Sequence, residues 1–154
     1  IIARHMFAHN ANPSEMLEGM KILLNEEGFI FIENAYAIDT FNHGEFDQIY
    51  HEHMFFYSVK SMMNLLSKNQ LFLHDIFFSD VHGGSIVFIA SKKNFGETLK
   101  LKDQIKLEES THGFFTFVSY AHANTYYILQ LALSTMRLML EGRLNFDQIK
   151  VPNS

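Results

Sequence analysis

The sequence predicts an α/β fold, the closing half of a doubly wound sheet whose last strand runs antiparallel, followed by a helical segment. Three observations predict it. Strand, helix and strand follow one another within the first 32 residues; two apolar runs flank a short Gly-Gly turn at 82–84; and aromatics recur at helical spacing from Gly113 onward.

Ile1-Ile2-Ala3 has no capping or turn signal and reads as the inside of a buried strand, so the chain looks like a piece of a longer protein. Asn12-Pro13-Ser14-Glu15 is a helix start, with Asn12 as N-cap, Pro13 at the first helical position and an acid in the first turn. The helix runs from about 13 to 25, with Met16, Leu17, Met20, Leu23 and Leu24 at helical spacing, and ends at Glu26-Glu27-Gly28. Phe29-Ile30-Phe31-Ile32 is a continuous apolar run between Gly28 and Glu33, as expected of a strand buried on both faces.

Residues 34–57 are polar and aromatic without a period, which predicts a long structured loop or short helices. Ser58 caps a helix over about 59–68 that turns Val59, Met62, Met63, Leu65 and Leu66 toward the core. Leu71 to Phe78 is the next strand, and residues 79–84 turn the chain into an antiparallel strand from Ser85 to Ala90. A loop at Lys92 to Gly96 leads to a charged amphipathic helix over about 98–110, and a long helix is expected from Gly113 to Gly142.

Composition narrows the function. Twelve basic residues against seventeen acidic ones give a net charge of −5, which argues against electrostatic nucleic-acid binding. With 47% hydrophobic and 19% charged residues the chain can build a core. The absence of Cys removes disulfides, thiolate zinc ligation and cysteine nucleophiles. No apolar stretch reaches eighteen residues, so no membrane partner is expected and the cytoplasm is the default location. Residues 1–53 hold Arg4 and Lys21 against nine acids, with five of the nine histidines. Carboxylates tune imidazoles near neutrality, so acid–base chemistry is expected in that third.

In a doubly wound sheet the ligand site lies beyond the carboxyl ends of the strands, which points to His5, His9, Glu33 and the Tyr50–His53 cluster. Phe46-Asp47-Gln48-Ile49-Tyr50-His51-Glu52-His53 is the densest constellation. An extended His51-x-His53 pair with His9 or Glu33 suits zinc. A histidine base with a carboxylate to fix its tautomer suits proton transfer. A polar loop whose histidines satisfy backbone groups is the third possibility. His82-Gly83-Gly84-Ser85 fits either an anion-binding nest or a tight hairpin turn.

Together, His5-Met6-Phe7-Ala8-His9, Gly28 to Glu33, Phe46 to His53 and His82 to Ser85 resemble, in order and spacing, the S-adenosylmethionine-dependent sugar C-methyltransferases, which put methyl branches on carbons of nucleotide-linked keto-deoxysugars. The resemblance covers about residues 1–91, and 98–142 is similar to the start of the family's C-terminal domain. It implies the later half of a Rossmann-like class I methyltransferase sheet over 1–93, then a truncated or divergent helical start of the C-terminal domain over 94–154. It also implies that the glycine-rich turn and ribose-holding acid for S-adenosylmethionine lie upstream, as does a zinc-binding N-terminal domain, so this chain alone would be inactive.

Carried over by resemblance, His53 is the base, with Glu52 and Tyr50 beside it and His9 as a further active-site histidine. His82, Gly83, Gly84 and Ser85 fall at the substrate, and His5 at the cofactor. The reaction implied is methyl transfer to a carbon beside a ketone through an enolate, with no metal required. His5 stands where the family often has Asn, and Val87 where Arg commonly follows Gly-Gly-Ser-x. The other readings are a same-fold methyltransferase acting on another small molecule and a non-catalytic interaction module.

Overall fold

The computed structural model describes residues 1–43, 45, 48 and 52–110. Strand β1 (Ile2–Arg4) leads through a short 3-10 turn (Phe7–His9) into helix α1 (Pro13–Leu23), and β2 (Ile30–Ala35) follows. Helices α2 (Ala37–Asn42) and α3 (Val59–Lys68) precede β3 (Phe72–Ser79), β4 (Ser85–Ser91) and α4 (Leu99–Ser110). The sheet order is β1-β2-β4-β3. β1 and β2 are parallel, while β4 runs antiparallel to both of its neighbours, as the short turn between the last two apolar runs predicts. The result is a mixed four-stranded α/β arrangement.

Local signals place the helix starts. The Asn12 side chain accepts from the Glu15 N–H, with Pro13 at the first position, where its missing N–H costs nothing. Ser58 opens α3 with a capping box: its hydroxyl accepts from the Ser61 N–H and the Ser61 hydroxyl accepts from the Ser58 N–H.

The register puts Ala3, Ile32, Phe88 and Ile76 in one row across the sheet, with Ile30 and Ile86 on the same face. That face is buried against Leu17 and Met20 of α1 and Val59, Met62 and Leu66 of α3. Each such side chain contributes about 1.5–3 kcal/mol on leaving water. The expectation of a strand buried on both faces does not hold for β2, because Phe31 is 37% exposed. β1 is an edge of the described sheet, and Ile2 is 73% exposed. Ile2, Phe31 and Phe77 lie on the second face, which stays largely open among the described residues. A continuous apolar run therefore marks the strand without telling which faces have partners.

Packing continues past residue 93. Helix α4 lies against α3 and β3 within a compact unit, Ile1–Ser110, and Leu101 is fully buried. Glu108 is also buried. Its carboxylate accepts from the Val59 N–H (2.7 Å), the Lys60 N–H (3.0 Å) and the Tyr36 hydroxyl (2.7 Å). One side chain of α4 thus satisfies the open N-terminus of α3, where the helix dipole favours an anion. The helix expected from Gly113 lies outside the described residues. Among the described residues no helix is long and apolar enough to cross a membrane.

Candidate active site

The site is assembled where the parallel strands end. After β1 the chain turns sharply at His5, which sits in the left-handed region at φ 46°, and its N–H donates to the Glu33 carbonyl of β2. Phe7 and Ala8 of the 3-10 turn are buried, which fixes the turn over the end of β2. The Met54 N–H donates to the Ala8 carbonyl at 3.0 Å, pinning residues 52–56 against that turn. A parallel bridge between Tyr36 and Tyr57 holds the far end of the same segment. As a consequence His53 meets His9 edge to face, ring centroids 4.8 Å apart, although the two lie 44 positions apart in sequence.

A second imidazole pair closes the opposite wall. The turn Val81–Gly83 places His82 at φ 54° with its ring 4.7 Å from that of His5. The Gln48 side chain donates to the His82 carbonyl at 3.0 Å and ties this turn to the His53 segment. The four histidines enclose a cleft of about 230 Å³ whose remaining walls include Asn34, Ala35 and Phe56.

The chemistry of His53 follows from its partner. Nδ1 lies 2.7 Å from the Gln48 carbonyl oxygen, which can only accept, so Nδ1 carries the proton and Nε2 keeps its lone pair. Burial lowers the His53 pKa, the neighbouring His9 and His5 lower it further, and the Gln48 bond and the Glu52 charge oppose the shift. At neutral pH this is an uncharged imidazole whose basic lone pair is on Nε2. His5 is lowered chiefly by burial, with His82 and Arg4 in the same direction and Glu33 opposed. Its Nε2 stands 3.5 Å from a Glu33 carboxylate oxygen, while the other Glu33 oxygen accepts from Arg4 Nε at 2.5 Å.

These two shifts set a pH dependence. Between the folded values and the ordinary imidazole value of about 6.5, the unfolded chain binds more protons than the folded one, so stability rises with pH there. The contribution is complete above pH 6.5 and is lost as pH falls below it. Melting temperature is therefore expected to drop on acidification from about pH 7 to pH 5, and His53→Asn to flatten that slope. A slope unchanged by His53→Asn would contradict the assignment.

Of the site residues read from the sequence, His5, His9, His53 and His82 come together. Glu52 is exposed and is not among the cleft walls; the His53 tautomer is set by the Gln48 main chain, and the Glu52 charge favours the protonated ring. Tyr50 and His51 lie outside the described residues. Gly83 (φ 81°) and Gly84 (φ 140°) have the backbone that only glycine adopts easily. A Cβ on Gly84 would stand 3.0 Å from an Asp39 carboxylate oxygen, and one on Gly83 would collide with the Glu45 carboxylate. Two carboxylates against this turn favour the hairpin reading over an anion nest. Ser85 is buried, and its hydroxyl donates to the Val81 carbonyl. Among the described residues, no group of three or more His, Asp or Glu is placed to hold a metal ion.

The sequence reading missed Asn34 as a wall of the cleft and the Gln48 main chain as the partner of His53. Asn34 had a signal: it is in phase with Ile30 and Ile32, so a polar side chain falls on the buried face.

No family model matches the chain. Over 91 residues, 59% of its length, it is 36% identical to the C-methyltransferase NovU of Streptomyces niveus, and it spans 22% of that protein.

Proposed function

We propose that the cleft is the methyl-accepting half of an S-adenosylmethionine-dependent C-methyltransferase acting on a carbon beside the ketone of a nucleotide-linked deoxysugar. The single observation that carries the proposal is His53, its Nδ1 committed to the Gln48 carbonyl and its ring against His9 in one cleft. The sheet order β1-β2-β4-β3 with one antiparallel strand between two others supports the later half of a Rossmann-like class I sheet. The 36% identity to a C-methyltransferase supports carbon as the acceptor.

A carbon beside a ketone is acidic because its anion delocalises onto oxygen, so the protein must take a proton and hold an oxyanion. His53 Nε2 takes the proton, the C–H electron pair moves toward the ketone oxygen, and His9 or Tyr50 donates to that oxygen. The proton then leaves His53 for solvent. When bound, the donor would supply an electrophilic methyl group to that carbon and leave as a neutral thioether.

The walls fit the reacting end of such a donor: a neutral His53 and the Phe56 ring suit a sulfonium methyl. About 230 Å³ is smaller than the roughly 300–1,000 Å³ of drug-sized sites, so the cleft encloses the reacting atoms and not the whole donor.

The test is a methyl-transfer assay of the whole protein on nucleotide-linked keto-deoxysugars, with their reduced alcohols as controls. A new carbon–methyl group on the keto forms alone is expected. Transfer to the alcohols, or to oxygen, would overturn the proposal.

A further inference from the structure

We propose that Asn34 is a substrate-binding and specificity-determining residue of the cleft, whose side-chain amide reads a carbonyl and a hydroxyl on adjacent carbons.

Asn34 lies on β2 opposite Ile86, in the row of positions that continues Ile30 and Ile32 into the core, and is 2% exposed. It also lines the cleft beside the four histidines. Among the described residues, neither Oδ1 nor Nδ2 has a hydrogen-bond partner. A buried amide with both ends unpaired destabilises the protein that carries it, and an aliphatic residue at this position would fold without that cost. Unpaired polar groups in native interiors call for an explanation, and a ligand group that enters the cleft supplies one.

The chemistry of the amide selects the ligand. It offers an acceptor and a two-hydrogen donor side by side. A phosphate can only accept and an ammonium only donate, so each leaves one end unpaired. A ketone alone does the same. An α-hydroxyketone satisfies both ends at once: its hydroxyl donates to Oδ1 and its carbonyl accepts from Nδ2. The inference rests on the proposed reaction in that the carbonyl is the one whose enolate His53 generates, which makes Asn34 Nδ2 a donor to the developing oxyanion in addition to His9 or Tyr50. Substrates with a hydroxyl beside the reacting ketone would be preferred over those deoxygenated there, because a site built to pair a hydroxyl discriminates strongly against its absence.

The probes are hydroxyacetone and acetone, titrated into the full 154-residue chain while the Asn34 side-chain amide and the His53 ring are followed by NMR. Hydroxyacetone is expected to bind roughly tenfold more tightly than acetone and to shift the Asn34 amide. Asn34→Leu is expected to erase that preference and to raise the melting temperature, a gain that a purely structural asparagine would not give. If hydroxyacetone shifts His53 but not Asn34, or binds no better than acetone, the inference is overturned while the His53 proposal stands. If methyl transfer to keto-sugars is absent but the Asn34 shift is present, the reaction proposal fails and the binding role of Asn34 survives.

Discussion

His53→Asn lowers turnover of the whole protein by about a hundredfold to ten-thousandfold, the usual range of general-base assistance. Asparagine keeps an N–H near the place of Nδ1, so the bond to the Gln48 carbonyl and the packing against His9 survive in outline. What disappears is the lone pair of Nε2. Affinity for the sugar nucleotide is expected to change little, since the base works only once the C–H bond begins to break. The pH profile supplies a second readout. Because burial holds His53 below the ordinary imidazole value, turnover rises through a pKa under 6.5 and is flat at neutrality, and the variant lacks that acidic limb. A variant with normal turnover and an intact limb would move the base to another residue, with His9 first in line.

Glu108→Ala is the second large effect, on stability. Removing this carboxylate takes the acceptor from two backbone N–H groups at the start of α3 and from the Tyr36 hydroxyl, which keeps the bond it accepts from Gln104. Hydrogen bonds to a charged acceptor contribute about 1.5–3 kcal/mol each and are not additive, so a total loss of about 3–5 kcal/mol is expected in urea unfolding. Tyr36→Phe removes one of the three bonds and is expected to cost about 1–2 kcal/mol. Burial and Glu108 raise the Tyr36 pKa, which keeps that hydroxyl a donor. The effect reaches the cleft, because α3 begins immediately after the segment that carries His53 and the Tyr57 bridge. A loss under 1 kcal/mol for Glu108→Ala would show that α4 is held by Leu101 and its neighbours alone.

Element types and caps were readable because they rest on neighbours in sequence. Asn12-Pro13 and Ser58 are local chemistry, and both cap the helices they announce. The antiparallel β4 followed from the shortness of the turn before it. Burial was readable only in part, since a run such as Phe29–Ile32 cannot say whether a second layer covers Phe31. Glu108 was missed although Leu101, Ile105 and Glu108 share one helical face, because glutamate on a helix is usually solvated. Asn34 was missed for the matching reason on a strand. The meeting of His9 with His53 was expected from strand ends, whereas the Gln48 carbonyl that fixes the His53 tautomer is a main-chain group that no side-chain motif encodes.

The central claim, that His53 removes a proton from carbon beside a ketone, is tested most directly without any methyl donor. A nucleotide-linked keto-deoxysugar is incubated with the whole protein in heavy water, and exchange at the carbon beside the ketone is followed by proton NMR. The account predicts exchange well above the uncatalysed rate for the wild type and its loss in His53→Asn. Equal exchange in both proteins would contradict it.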